Sequence, residues 1–222
     1  MPSMSLRTNQ ADILDATEHL PEGATLTIQG LDWDDYEILL KNLAERPNLR
    51  VSYDKGRLQI VSISRRHERY AAHVENLIVT ACDEFDLTLE ECGRTTWRRF
   101  MLDRGVEADG SYYIENAKRV LDDREIDLES DPPPDIVLEI DLTTDSRDKF
   151  PLYAALAVPE IWRYDGQAIH FHQLRDGEYV EMPGSRALPG LSRELLIESM
   201  EISKTQGQTA ARKHLRAKLR SS

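Results

Sequence analysis

Several things are scarce in this 222-residue sequence, and each scarcity removes a class of explanation. No apolar run approaches the roughly 20 residues that a helix needs to cross a bilayer, so no membrane partner is expected. The opening MPSMSLRTNQADILDATEHL has no secretory apolar stretch of about 7–15 residues. A cytoplasmic protein is the expectation. Cys82 and Cys92 are the only cysteines and lack CxxC spacing, which supports neither a zinc site nor a disulfide framework. No GxGxxG, GxxxxGK[ST] or GxSxG occurs, so dinucleotide binding, phosphate-loop chemistry and a hydrolase elbow are unsupported.

Positive charge is also short. Lys and Arg number 28 against 40 Asp and Glu, for a formal net charge of −12. Affinity for a phosphate backbone comes mostly from Lys and Arg displacing counterions, so any nucleic-acid role needs local basic patches. Three occur: SRRHER (64–69), RTTWRR (94–99) and ARKHLRAKLR (211–220). Arg65, Arg66, Arg98 and Arg99 are the candidate nucleic-acid contacts, although each stretch alone also reads as a solvated charged face. A bound divalent cation is another way to offset an acidic excess.

What is present is clear periodicity. The length suits one domain over 1–191, followed by a helical or mobile tail over 192–222. TLTIQ alternates like a strand, and Asp32 is placed to cap a helix over WDDYEILLKNLAER. LRVSYDKGRLQIVSIS reads as a hairpin turning at Asp54, Lys55 and Gly56. RRHERYAAHVENLIVTACDEF is a long amphipathic helix. Strand patterns follow in LTLEE, RTTWRRFML and SYYIE, then a polar connection ending in three prolines. Pro151 is tolerated only in a helix's first turn, which predicts a start with Asp148 as cap and Lys149 first. EIWRYDG, AIHFHQL and EYVEMPG form an antiparallel meander. The order favours an α+β fold with a central mixed sheet flanked by helices.

The strand DIVLEID between proline and helix puts Ile136, Leu138 and Ile140 on one face, and Asp135, Glu139 and Asp141 on the other. Two readings fit an acidic strand face. It is either the wet side of an edge strand or a site for a hard divalent cation such as Mg²⁺, which takes carboxylate oxygens. On the second reading a metal held by Glu139 and another carboxylate polarises a phosphate and activates water, and the nearby Lys149 supplies positive charge. Asp109 in VEADG, beside Glu107, is the candidate second acid at a strand entry; Asp-Gly is equally an ordinary turn pair. Asp135 shares the strand of Glu139 and does not face it.

These residues resemble the Uma-type family of restriction-endonuclease-like proteins, within the PD-(D/E)XK nuclease-like superfamily. The matching pieces are YDKGRLQIVS, HERY with His67, TTWRR, GVEADGSYYI, DPPPDIVLEIDLTTDSRDKFPLYAALAVPEIWRYDG and ALPGL, over roughly 48–191. The resemblance implies a restriction-endonuclease-like core and Mg²⁺- or Mn²⁺-dependent cleavage of DNA, and it is compatible with a homodimer. Carried over, Asp109 and Glu139 look like the metal acids, with Asp141 beside them, and Lys149 like the catalytic lysine. His67 and Gln59 are supporting candidates. The superfamily lysine stands two residues after the acid, where this chain has Asp141, so the ammonium must come from the next helix. Gln59 replaces a frequent Glu, and Ile63, Ala108 and Ala157 replace residues that are often Pro, Pro and Gly. A catalytically silent nuclease-fold protein that binds nucleic acid or a protein partner is the alternative.

Overall fold

The computed structural model describes residues 10–121 and 125–221. In chain order the elements are α1 (Gln10–Glu18), β1 (Thr25–Gln29), α2 (Trp33–Leu43), β2 (Leu49–Asp54), β3 (Arg57–Ser62), α3 (Arg65–Phe85), β4 (Glu90–Glu91), β5 (Thr96–Arg99), β6 (Arg104–Glu107), β7 (Gly110–Tyr113), β8 (Ile136–Ile140), α4 (Phe150–Ala155), β9 (Glu160–Tyr164), β10 (Ile169–Arg175), β11 (Glu178–Met182), α5 (Arg193–Gln206) and α6 (Gln208–Leu219). Short 3-10 turns lie at Phe100–Leu102, Ala117–Arg119 and Ser146–Lys149. Packing groups these into two compact units. One holds the described residues up to Arg65 with Thr96–Glu107, the other Arg66–Thr95 and the described residues from Ala108 onward.

The first unit is a wholly antiparallel sheet in the order β1-β3-β2-β6-β5. The β2–β3 turn takes positive φ at both Lys55 (46°) and Gly56 (91°), the geometry whose twist suits a two-residue hairpin. Asp32 caps α2 by accepting the Asp35 N–H at 2.9 Å. Tyr36, Leu39 and Leu43 on α2 bury against Tyr53, Leu58 and Ile60 of the hairpin. Two elements here differ from expectation. The polar lead-in contains α1, which buries only Ile13 and Thr17 and therefore has almost no apolar period. The run RTTWRRFML is β5 and a 3-10 turn, and its partner β6 carries too few apolar residues to alternate visibly.

The second unit is mixed, in the order β11-β10-β9-β8-β7-β4, with β8 and β9 parallel and the remaining pairs antiparallel. Parallel neighbours need a crossover, which here carries α4. The fold is α+β with helices flanking the sheets, and β9–β11 form the expected meander. The hairpin strands stand apart in the separate antiparallel sheet. Ile136, Leu138 and Ile140 bury with Val74, Leu77 and Ile78 of α3. Residues 193–219 form two helices whose Leu196, Met200 and Leu215 enter this same core. The C-terminal basic stretch is partly committed to α3: Arg216 Nε and Arg220 Nε donate to Glu84 at 2.7 and 2.6 Å.

The crossover turns at Asp145, not Asp148. Asp145 accepts the Arg147 N–H at 3.0 Å and caps the 3-10 turn, and Lys149 then stands at the N-cap of α4 with Pro151 in its first turn. The helix ends in a Schellman arrangement: Ala157 N–H donates to Ala154 O and Val158 N–H to Tyr153 O, both at 3.0 Å. That end requires a left-handed residue, and Ala157 occupies it at φ 60°. An L side chain there carries a steric penalty that glycine avoids, less the extra unfolded-state entropy of glycine. Ala157→Gly should therefore stabilise the protein by about 0.5–1 kcal/mol. Urea unfolding measures this, and an unchanged or lower midpoint at constant m-value would contradict it.

Candidate active site

The site is built on β8. Its neighbours β7 and β9 flank it on both sides, so the wet-edge reading of the acidic face fails. Glu139 is 2% exposed and projects from the face opposite Leu138 and Ile140. Burial of a carboxylate is costly unless donors surround it, and two donor groups reach Glu139 through three hydrogen bonds. Lys149 Nζ lies 3.0 Å from Oε1 and 2.8 Å from Oε2, and the Tyr153 hydroxyl donates to Oε1. Lys149 and Tyr153 stand four residues apart, which lets one turn of chain deliver both groups to a single carboxylate.

Asp109 lies at the mouth of β7, antiparallel to β8. Its N–H donates to Leu138 O at 3.0 Å, while its Oδ2 accepts the Ile140 N–H at 2.9 Å. Asp109 thus binds both residues that flank Glu139, Leu138 through its backbone and Ile140 through its side chain. His67 Nε2, from the first turn of α3, is 3.0 Å from the same Oδ2, and both side chains are buried. Asp109, Glu139, Lys149 and His67, all singled out by sequence, are therefore in one neighbourhood.

Burial pushes the Glu139 carboxyl up to about 7; the Lys149 ammonium opposes this, and the charge of Asp109 adds to the rise. Tyr153 is driven well above its ordinary value by burial and then by the adjacent Glu139 charge, so it remains a donor.

The other candidates lie elsewhere or are engaged. Asp141, one residue past β8, accepts Arg163 Nη1 at 3.0 Å, the Ser146 N–H at 3.1 Å and the Ser146 hydroxyl at 3.2 Å. Arg163 stands beside Glu139 in the β8–β9 register. Gln59 is on β3, opposite Thr27 and Ser52, in the first unit. Arg65, Arg98 and Arg99 also belong to that unit, with Arg98 Nε 3.0 Å from Glu37, whereas Arg66 lies over the Tyr70 ring in the second. Asp135 is a structural carboxylate: it accepts the Ile114 and Asn116 N–H groups at 2.7 and 2.9 Å and Asn116 Nδ2 at 2.6 Å. Tyr153 is the residue that sequence reasoning missed; its spacing from Lys149 was the available signal. Among the described residues no group of three or more His, Cys, Asp or Glu side chains is arranged to hold a metal ion.

Two expectations follow from the buried carboxylate. The ordinary pKa of Glu139 is 4.5 and its folded value about 7, so between these the folded protein retains a proton that the unfolded chain has released. The stability this contributes is complete below the unfolded value and is lost as pH rises through the folded one. Unfolding free energy should thus fall across that window by about 3 kcal/mol, and Glu139→Gln should flatten the fall. Urea titrations at several pH values test this, and an identical slope in the variant would refute it. Tyr153→Phe removes a donor to the ionised form. It should cost about 1–2 kcal/mol of stability at pH 8 and move the Glu139 transition to higher pH; no change in either would separate Tyr153 from Glu139.

Comparison with known proteins places this geometry in context. No curated protein matches the chain. A solved structure of a "putative nuclease belonging to DUF820" from Anabaena variabilis ATCC 29413 is similar to it, with 16% sequence identity, 67% of this chain and 89% of that chain covered, and a TM-score of 0.44. Residues 33–205 match the model of a family described as "Putative restriction endonuclease". With that match spanning most of its length, the chain belongs to the Uma2 family.

Proposed function

We propose that this protein is a metal-dependent nuclease that hydrolyses phosphodiester bonds in DNA, with Asp109, Glu139 and Lys149 as its catalytic group. The observation that carries the reading is the meeting of two buried carboxylates from adjacent strands with one lysine ammonium. The donor set is all oxygen, which suits Mg²⁺ or Mn²⁺ completing their shells with water and substrate phosphate, and does not suit zinc. Asp109 and Glu139 would hold the ion, which when bound stabilises charge on the phosphate and acidifies a water.

The roles of the chain's own groups follow from their contacts. Lys149 neutralises Glu139 in the free protein. Were Glu139 to hold a cation, the Lys149 ammonium would turn to a phosphate oxygen or orient a water beside the site. Tyr153 keeps the Glu139 carboxylate in one rotamer, and His67 fixes Asp109. Asp141 stays outside the ligand set because Arg163 and Ser146 occupy its oxygens. Arg65, Arg66, Arg98 and Arg99 are offered to the phosphate backbone.

A second reading, a silent nuclease-fold module that binds nucleic acid or a protein, is favoured by one observation: each acid is already paired within the protein, and the described residues contain no ready group of three metal ligands. Incubation of supercoiled plasmid with purified protein in Mg²⁺ or Mn²⁺ separates the two. Nicking is expected, lost in Asp109→Ala and Glu139→Ala and lowered by about 10²–10³-fold in Lys149→Ala, the range for a single electrostatic stabiliser. Absence of cleavage, together with duplex affinity that Ca²⁺ leaves unchanged, would favour the silent module.

A further inference from the structure

We propose that the Phe100–Met101 hairpin tip of the first unit is a wedge that inserts between stacked bases of a nucleic-acid duplex; this rests on the reading of the chain as directed to DNA. Met101 is 78% exposed and Phe100 63%, the two most exposed large hydrophobic side chains among the described residues, and they are consecutive. Leaving that much apolar surface in water on a β5–β6 connection is unfavourable, and neither side chain completes the core beneath it.

The tip is braced. The 3-10 turn closes through the Asp103 N–H on Phe100 O at 2.9 Å with Asp103 left-handed at φ 54°, and the Lys55 N–H of the neighbouring turn donates to Asp103 O at 2.9 Å. The Phe100 ring meets Trp33 edge-on at 5.7 Å, and Trp33 meets Tyr36 at 5.2 Å and Tyr53 at 5.8 Å. An aromatic base therefore holds Phe100 in place while leaving its outer side uncovered. A wedge held in its working position loses little freedom on insertion.

Charge selects the occupant. Arg98, Arg99 and Arg104 flank the tip, and Lys55 and Arg57 lie on or beside the adjoining turn; these five cations outnumber the nearby acids Glu37, Asp54 and Asp103, in a chain whose net charge is −12. Arg98 and Arg104 pair with Glu37 and Asp54 at 3.0 and 2.8 Å, on partly exposed side chains that a polyanion can recruit. An apolar point inside a basic collar matches a duplex, whose phosphates take the collar while Phe or Met unstacks a base step. A second copy of this chain fits less well, since two side chains supply little of the roughly 1,200–2,000 Å² that a stable interface buries.

The test uses full-length protein and a duplex with 2-aminopurine at a central TA step, a step that unstacks easily, in EDTA so that the strand stays intact. Binding by wild type should raise 2-aminopurine fluorescence. Met101→Ala, at a position too exposed to matter for folding, should reduce that rise and weaken affinity about tenfold, the worth of one stacking contact, with the salt slope unchanged. Phe100→Ala should do the same, with circular dichroism confirming its fold. Binding without a fluorescence rise, or a Met101→Ala protein indistinguishable from wild type, overturns the wedge. So does a Met101→Ala effect confined to self-association in sedimentation, which would make the tip a contact between copies. Plasmid nicking run in parallel separates the two proposals: cleavage without base unstacking removes the wedge and leaves the nuclease, and unstacking without cleavage does the reverse.

Discussion

The second unit is organised around the desolvation of one carboxylate. Glu139 is in the middle of a six-stranded sheet, where an unpaired charge would cost several kcal/mol. Its two side-chain donors come from a single short crossover. Asp145 caps the turn that presents Lys149, Pro151 starts α4, and the left-handed Ala157 stops it after one and a half turns with Tyr153 pointing at the same carboxylate. The parallel β8–β9 pair makes this crossover necessary, because the chain must return to the other end of the sheet. Topology and electrostatics therefore meet in fewer than twenty residues.

The same pairing sets a competition. Removing one partner of a buried ion pair is costly, on the order of 3–5 kcal/mol, so whatever takes Glu139 from Lys149 must supply a comparable interaction. A divalent cation can do so and a monovalent one is poorly equipped to. The lysine thus supplies the opposite charge that makes the buried carboxylate tolerable. Asp109 is held in a corresponding way, by the Ile140 N–H and by His67.

Much of this was legible from sequence because it depends on local pattern. Strand parity separated Glu139 from Leu138, Pro151 limited the start of α4, and Asp-Lys-Gly marked the hairpin. The missed parts depend on tertiary context. The α1 helix buries two residues and has no period to detect. Nothing local says that the β2–β3 hairpin joins β6 and β5 in a sheet of its own, because that pairing brings together residues far apart in sequence. Asp141 looked equivalent to Glu139 by parity, yet Arg163 from the neighbouring strand claims it. Tyr153 was hidden for a different reason: tyrosine in a short helix usually reads as core, and its hydroxyl acquires meaning only once Glu139 is known to be beneath it.

The order of strands in the first sheet has a consequence for how the chain is made. β2 pairs with β6 through Asp54 and Arg104, separated by 50 residues, and all of α3 lies between them. During synthesis from the N-terminus, α1 through β3 emerge early, but one edge of β2 stays open until that interval has been translated. An open strand edge is a template for pairing with other chains, and closing a long loop is slow relative to forming a local hairpin. The nascent protein therefore passes through a period in which three of the sheet's five strands wait for the other two.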